Sequence, residues 1–223
     1  MTNTSIKSIL FDLDGTLLDT APDFLLTINK LLSNYNRPPL TLREFRPRIT
    51  LGTEGMLKFA FGINKQHRDY AQLREQFLSI YFDNIAELTR PFPGVIEMLN
   101  ELKQRDISWG IVTNKYQNLT EQLLTIHQLL PTTACIVCGD TLEKAKPHPE
   151  PLWHASQLLN CQPEHCLFVG DSDIDMIAGK RAGMQTLIAK YGYISERDNI
   201  TAWEADGSIN EPAELIPWLS KYI

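Results

Sequence analysis

The chain has 223 residues, 43% of them hydrophobic and 22% charged, which suits an α/β domain with an inserted subdomain and falls in the ordinary globular range. Its 21 Lys and Arg against 27 Asp and Glu leave a net charge of −6, so no broad positive field is present to hold nucleic acid or an anionic membrane. A small-molecule substrate is the expectation.

The opening stretch, MTNTSIKSILFDLDG, has no basic leader ahead of an uninterrupted apolar run, because Asp12 and Asp14 break it. No segment reaches the ~20 apolar residues needed to span a bilayer. Cytoplasmic residence is therefore expected. Ser8 to Leu13 reads as a buried strand with polar chemistry at its C-terminal end, and the same pattern returns in Ile107 to Thr113, Ala134 to Cys138, Cys166 to Gly170 and Thr186 to Ala189. Helical spacing runs from Gly94 to Gln104, from Leu119 to Leu130 and from Pro151 to Leu159. Alternating strand and helix predict a parallel α/β sheet covered by helices on both faces.

Residues 19–88 interrupt that alternation. They read as helical nearly throughout, with Phe24, Ile28, Leu31 and Leu32 on one amphipathic stretch and Leu73, Phe77, Ile80 and Leu88 on another. Thr41 to Glu44 has the form of a capping box opening a short helix between them. Arg90-Pro-Phe-Pro-Gly94 punctuates the return to the sheet. The expected organisation is a core of 1–18 and 89–223 with a helical insertion of 19–88. Cys135 and Cys138 fall inside the apolar run ACIVC, and Cys161 and Cys166 have the wrong spacing to complete a zinc site with them. All four read as reduced thiols. Trp109, Trp153, Trp203 and Trp218 read as packing residues.

In an open parallel sheet, ligands sit beyond the carboxyl ends of the strands. The residues collected there are Asp12 and Asp14, Thr113 and Asn114, Lys144 and Lys146, and Asp171, Asp173 and Asp175. Carboxylates crowd together only when a cation neutralises them, and oxygen-only ligands point to Mg²⁺. Asp12, Asp171 and Asp175 bring three negative charges, Mg²⁺ and Lys146 three positive ones. A phosphate dianion could then enter a near-neutral site. Asp12, its charge offset, is a credible nucleophile toward phosphorus, and Asp14 can protonate the leaving oxygen and later activate water. Thr113 and Asn114 are the phosphate-binding candidates. Lys144, His148 and Asp173 read as solvated charges, and Asp19 as a turn or capping residue.

Phe11-Asp-Leu-Asp-Gly-Thr-Leu-Leu-Asp19, Val112-Thr-Asn-Lys115, Lys146-Pro147 and Gly170-Asp-Ser-Asp-Ile-Asp175 resemble, in order, the four motifs of the haloacid dehalogenase superfamily. The resemblance implies a Rossmann-like core with a helical cap inserted after the first motif. It also implies Asp12 as nucleophile, Asp14 as acid/base, Mg²⁺ held by Asp12, the Asp14 main-chain carbonyl and Asp171, Lys146 steadying the phosphoenzyme, and Asp175 orienting the fourth motif. Within that superfamily Asp14 points to phosphatases over dehalogenases, phosphonatases and P-type ATPases. The absence of a histidine shortly after the first motif, where the chain reads Ala21-Pro-Asp-Phe24, lowers a sugar phosphomutase reading. A non-catalytic phosphate-binding protein on the same fold is the remaining alternative. Leu51-Gly-Thr-Glu-Gly55 resembles the cap loop of phosphoglycolate phosphatase relatives, making Thr53 and Glu54 specificity candidates, with Arg43, Arg46 and Arg48 as possible partners of a substrate carboxylate. Lys146-Pro-His-Pro-Glu-Pro-Leu152, Tyr191-Gly-Tyr-Ile194 and Trp203-Glu-Ala-Asp206 resemble the N-acetylmuramic acid 6-phosphate phosphatases, a branch close to phosphoglycolate phosphatase. The implied substrate is the phosphorylated amino sugar, with phosphoglycolate second.

Overall fold

The computed structural model describes residues 5–129, 132–196 and 198–220. In chain order the elements are β1 (Ser8–Phe11), β2 (Leu18–Asp19), α1 (Ala21–Asn34), α2 (Leu42–Phe45), α3 (Gly52–Phe61), α4 (Tyr70–Asp83), β3 (Arg90–Pro91) and α5 (Val95–Gln104). They continue with β4 (Ser108–Val112), α6 (Gln117–Ile126), β5 (Cys135–Val137), α7 (Glu150–Leu158), β6 (Cys166–Gly170), α8 (Asp173–Ala182), β7 (Gln185–Ala189), β8 (Gly207–Ile209) and α9 (Leu215–Leu219). Two compact units result: Met1–Leu18 with Pro91–Ile223, and Asp19–Arg90. No helix among the described residues is long and apolar enough to cross a membrane.

The first unit holds a six-stranded sheet in the order β5-β4-β1-β6-β7-β8, parallel at every pairing. Parallel strands buried on both faces need continuous apolar runs, which is why SILF, SWGIV and CLFVG could be read as strands at once. On one face Leu10, Val112 and Phe168 join Leu152 and Ala155 of α7 and Ala178 and Ala182 of α8 in one cluster. Phe11 meets Trp109 edge-on at 6.1 Å between ring centroids. Edge strand β8 escaped the sequence reading. Gly-Ser-Ile is too short and too polar to stand out, and Gly207 admits the Trp218 indole, which a Cβ would approach to 2.4 Å. The helix expected over Leu119–Leu130 is α6, shifted toward its N-terminus; Leu130 lies outside the described residues.

Not every tryptophan packs. Trp109 and Trp218 are buried, Trp203 is half-buried, and Trp153 is 41% exposed. Trp153 sits on α7, its indole N–H donating to the Ala182 carbonyl at 3.1 Å and its ring meeting His148 edge-on.

β1 is central, with β4 on one side and β6 on the other. After β1 the chain builds outward through β4 and β5, then crosses back to lay β6 on the opposite flank. The end of β1 is thus the point where the winding direction reverses, and a crevice opens there.

The second unit is helical. Stacked Phe24, Phe77 and Tyr81 rings join α1 to α4, Phe24 and Tyr81 lying 4.4 Å apart between centroids. The capping box at Thr41 is present: the Glu44 amide donates to the Thr41 hydroxyl, and the Thr41 amide to the Glu44 carboxylate at 3.0 Å. A 3₁₀ turn over Arg46–Leu51 leads straight into α3, so Leu51 caps that helix and Thr53 stands inside its first turn.

Asp23, fully buried in α1, accepts hydrogen bonds from the Leu88 amide at 2.7 Å, the Thr89 amide at 3.2 Å and the Thr89 hydroxyl. Removing that carboxylate strands the buried Thr89 amide and the part-buried Leu88 amide. Asp23→Ala is expected to lower the unfolding free energy by about 2–4 kcal/mol in urea titrations, and Asp23→Asn, which keeps one acceptor, by less. A loss below about 1 kcal/mol for the alanine variant would show those amides to be solvated.

Candidate active site

The site lies wholly in the first unit. The Asp12 amide extends the β1 ladder by donating to the Val169 carbonyl at 2.9 Å, and the chain then turns through Leu13 to Leu18. Gly15 makes the turn possible. Its φ of +88° disfavours an L side chain, and a Cβ there would stand 2.1 Å from an Asp171 carboxylate oxygen.

Lys146 is the hub. Its ammonium, with the side chain 2% exposed, lies 2.9 Å from Asp12 Oδ1 and 2.7 Å from Asp175 Oδ1. The other Asp175 oxygen accepts from the Ser172 amide at 3.1 Å and from its hydroxyl, forming the capping box of α8. Asp171 is buried against backbone: its Oδ2 accepts the Tyr193 amide at 2.8 Å, and its Oδ1 faces the Thr16 hydroxyl at 3.4 Å. Asp12, Asp171 and Asp175 each bring one oxygen into a set whose members all lie within 4.8 Å of one another.

Three carboxylates and one lysine leave this buried group two negative charges in excess, a deficit a divalent cation would cancel. The titration behaviour follows. Burial pushes the Asp12 carboxyl up to about 6 even against the attraction of Lys146. Burial, with Asp12 and Asp175 alongside, raises Asp171 well above the usual carboxylate range. Burial works against the Lys146 charge as well, yet Asp12 and Asp175 together hold its ammonium above the ordinary lysine value. The donor set fits a hard, oxygen-seeking cation. Asp175 has both oxygens held by close protein donors, whereas Asp171 Oδ1 meets the Thr16 hydroxyl only at 3.4 Å, so Asp12 and Asp171 are the side chains better able to turn toward a metal.

The sequence reading placed Asn114 on phosphate, but its amide is committed elsewhere. Asn114 Nδ2 donates to the Lys146 carbonyl at 2.9 Å, and the Lys146 amide returns to Asn114 Oδ1 at 3.0 Å. Asn114 therefore fixes the backbone that carries Lys146. Thr113 is buried at the end of β4, its hydroxyl accepting the Lys115 amide at 3.2 Å while keeping a proton to donate.

Lys115 received no role from the sequence, although it closes the second motif. Its ammonium lies 3.0 and 3.1 Å from the two Asp14 oxygens. Spacing gave no signal, because the partners stand 101 residues apart.

Other candidates in the first unit are engaged elsewhere. Lys144 and His148 both approach Glu150, at 4.0 and 3.7 Å, and Asp173 bonds the Ile174 amide in the first turn of α8. In the helical unit, Asp19 meets the Ala21 amide at 3.4 Å and Arg46 at 3.3 Å. Glu54 pairs with Lys65 at 2.8 Å, and that hydrogen bond lowers its carboxyl below the usual range. The Arg48 guanidinium lies over the Phe59 ring, and Arg43 is exposed.

The haloacid dehalogenase-like hydrolase family matches this chain over residues 9–189. The chain is similar to the N-acetylmuramic acid 6-phosphate phosphatase of Pseudomonas aeruginosa, 35% identical over 221 residues that make up 99% of this chain and 98% of that one. It is 39% identical over 213 residues to the phosphoglycolate phosphatase of Xylella fastidiosa, covering 94% of this chain and 91% of the relative. Among solved structures, a predicted phosphoglycolate phosphatase from Haemophilus somnus superposes with a TM-score of 0.85 at 28% identity, covering 98% and 99% of the two chains.

In the cation-free chain, raised carboxyls at Asp12 and Asp171 mean that ionising them is harder folded than unfolded. That penalty is absent below the ordinary value near 3.8 and is complete for Asp12 once the pH has risen through about 6. A divalent cation relieves it only where the carboxylates are ionised. At a hundred times its Kd, a cation should stabilise the fold by about 2.7 kcal/mol, a rise in Tm of about 5 °C or more at pH 7.5, with less than half that gain at pH 5. An equal or larger gain at pH 5 in differential scanning fluorimetry would contradict this electrostatic account.

Proposed function

The chain belongs to the haloacid dehalogenase-like hydrolases, and on that premise we propose that it is a magnesium-dependent phosphatase acting on a small phosphomonoester through an aspartyl-phosphate intermediate. One observation carries this reading: the Asp12, Asp171 and Asp175 carboxylates are gathered together while one buried lysine, Lys146, bonds only Asp12 and Asp175, a charge arrangement suited to a divalent cation and an incoming phosphate dianion.

Asp12, the Asp14 main-chain carbonyl and Asp171 would hold Mg²⁺, which when bound offsets charge on the carboxylates and the transferring phosphoryl group. Asp12 attacks phosphorus and forms the acyl-phosphate bond as the bond to the leaving oxygen breaks. Lys146 fixes the orientation of Asp12 by gripping Oδ1, leaving the second oxygen for one of these roles. Asp14 delivers a proton to the departing oxygen and then, as a carboxylate, takes one from the water that attacks the phosphoenzyme. Phosphate leaves, and both aspartates are restored. The Thr113 hydroxyl and the amides at the strand ends are placed to bind phosphoryl oxygens.

We take N-acetylmuramic acid 6-phosphate as the substrate, because the segments Tyr191–Ile194 and Trp203–Asp206 resemble the phosphatases of that compound and the hydrolytic mechanism does not require them. Phosphoglycolate is the second reading, favoured by the higher identity of the Xylella relative. Both compounds carry a carboxylate, so bulk separates them: the amino sugar needs a roomy, partly apolar pocket, phosphoglycolate a tight one with a cation close by.

Asp12→Asn should abolish turnover of p-nitrophenyl phosphate while the circular dichroism spectrum and cooperative melt persist; wild-type rates in that variant would eliminate the covalent route. Excess chelator should silence the wild type and added Mg²⁺ restore it, and full activity in chelator would remove the metal from the scheme. With the two natural compounds compared side by side, kcat/KM should be higher for the amino-sugar phosphate. A phosphoglycolate value more than about tenfold higher, equal to ~1.4 kcal/mol of transition-state binding, would reverse the order.

A further inference from the structure

We propose that Lys115 is the positioning residue for the acid/base carboxylate of Asp14, an inference that rests on the reading of Asp14 as the group that protonates the leaving oxygen. The two lysines of the site divide the carboxylates between them. Lys146 serves Asp12 and Asp175, and Lys115 meets Asp14 with both carboxylate oxygens within 3.0 and 3.1 Å. The Lys115 side chain is 4% exposed, against 18% for Asp14, so the ammonium is the more deeply buried member of the pair.

Lys115 is itself held at both ends. Its amide donates to the Thr113 hydroxyl at 3.2 Å, and its carbonyl accepts from the Gly139 amide at 2.9 Å. That second bond requires glycine, since a Cβ at Gly139 would stand 2.3 Å from the Asn114 carbonyl oxygen. A lysine on an unanchored loop would carry its full rotamer freedom and could fix nothing. Here the backbone is clamped next to the residue that fixes the Lys146 loop, so the Lys115 ammonium and the Lys146 ammonium are both referred to the end of β4. Proton delivery to a departing oxygen depends steeply on such placement, because a displacement near 1 Å can cost about 10²-fold in rate.

This role differs from two others open to a buried lysine. A lysine that gripped the transferring phosphoryl group would serve every phosphomonoester alike. A lysine needed only for folding would lower the amount of active protein without changing its preference among leaving groups. A lysine that positions the acid matters when the leaving oxygen needs a proton, as an alkoxide does, and matters little for p-nitrophenolate, which departs unaided.

The test uses the full chain with Mg²⁺ and compares kcat/KM, which covers the steps through expulsion of the leaving group, for p-nitrophenyl phosphate and for whichever alkyl phosphate proves the better substrate. Lys115→Met should lose about 10- to 10²-fold on the alkyl ester and stay within about threefold of wild type on the aryl ester, the same bias, though smaller, as Asp14→Asn. The double variant should fall within about threefold of Asp14→Asn alone, because a positioning residue has nothing left to position. Should the methionine variant fail to fold, Lys115→Gln, which keeps an N–H donor in the same slot, carries the comparison. Equal losses on both esters, or additive losses in the double variant, would overturn the assignment. If Asp14→Asn shows the leaving-group bias and neither Lys115 variant does, Lys115 alone is misassigned; if Asp14→Asn lacks the bias, the acid/base reading of Asp14 fails and this inference with it.

Discussion

Lys146 places one positive charge between the Asp12 and Asp175 carboxylates, and the surrounding protein is arranged to keep it there. Leaving a buried charge without its partner costs about 3–5 kcal/mol, several times the ~1 kcal/mol net value of an ordinary hydrogen bond. That ratio explains why neighbouring groups commit their own bonds to the arrangement. Asn114 holds the Lys146 backbone by two hydrogen bonds, and Ser172 occupies the oxygen of Asp175 that Lys146 does not. Gly170 yields the space, since a Cβ there would come within 2.5 Å of the Asp175 side chain. A cluster with two uncompensated negative charges weakens the fold that contains it. Its presence is intelligible as preparation for a cation and an anion that arrive from solution.

Much of this was legible in the sequence because the fold is a parallel sheet. Strands buried on both faces announce themselves as apolar runs, and the residue after each run lies by construction on the binding edge. Asp12, Thr113 and Asp171 are collected in this way, each directly after its strand. The capping box at Thr41 was legible for a different reason, since all its bonds close within four residues. What escaped was whatever depended on which neighbour a side chain chooses. Asn114 turns from phosphate to the Lys146 backbone, Glu54 is taken by Lys65, and Lys115 finds Asp14 across the sheet. Periodicity says which face a residue occupies and is silent about such choices. Trp153 makes the same point for packing: a helical tryptophan beside core positions stays partly exposed, with its N–H on the Ala182 carbonyl and its ring against His148.

The central position of β1 has a consequence for how the chain comes to be folded. Ser8 pairs with Ser108 on one side and with Cys166 on the other, so β1 waits for its first neighbour until synthesis has reached Ser108 and for its second until it has reached Cys166. Before β4 is made Ile9, Leu10 and Phe11, all fully buried at the end, have no sheet to enter, and the edge that receives β6 stays open longer still. The helical unit of Asp19–Arg90 closes within a short stretch of chain and can be complete while β1 is still unpaired. Synthesis can therefore pass through a stage in which the helical unit is formed and the apolar β1 still lacks its sheet.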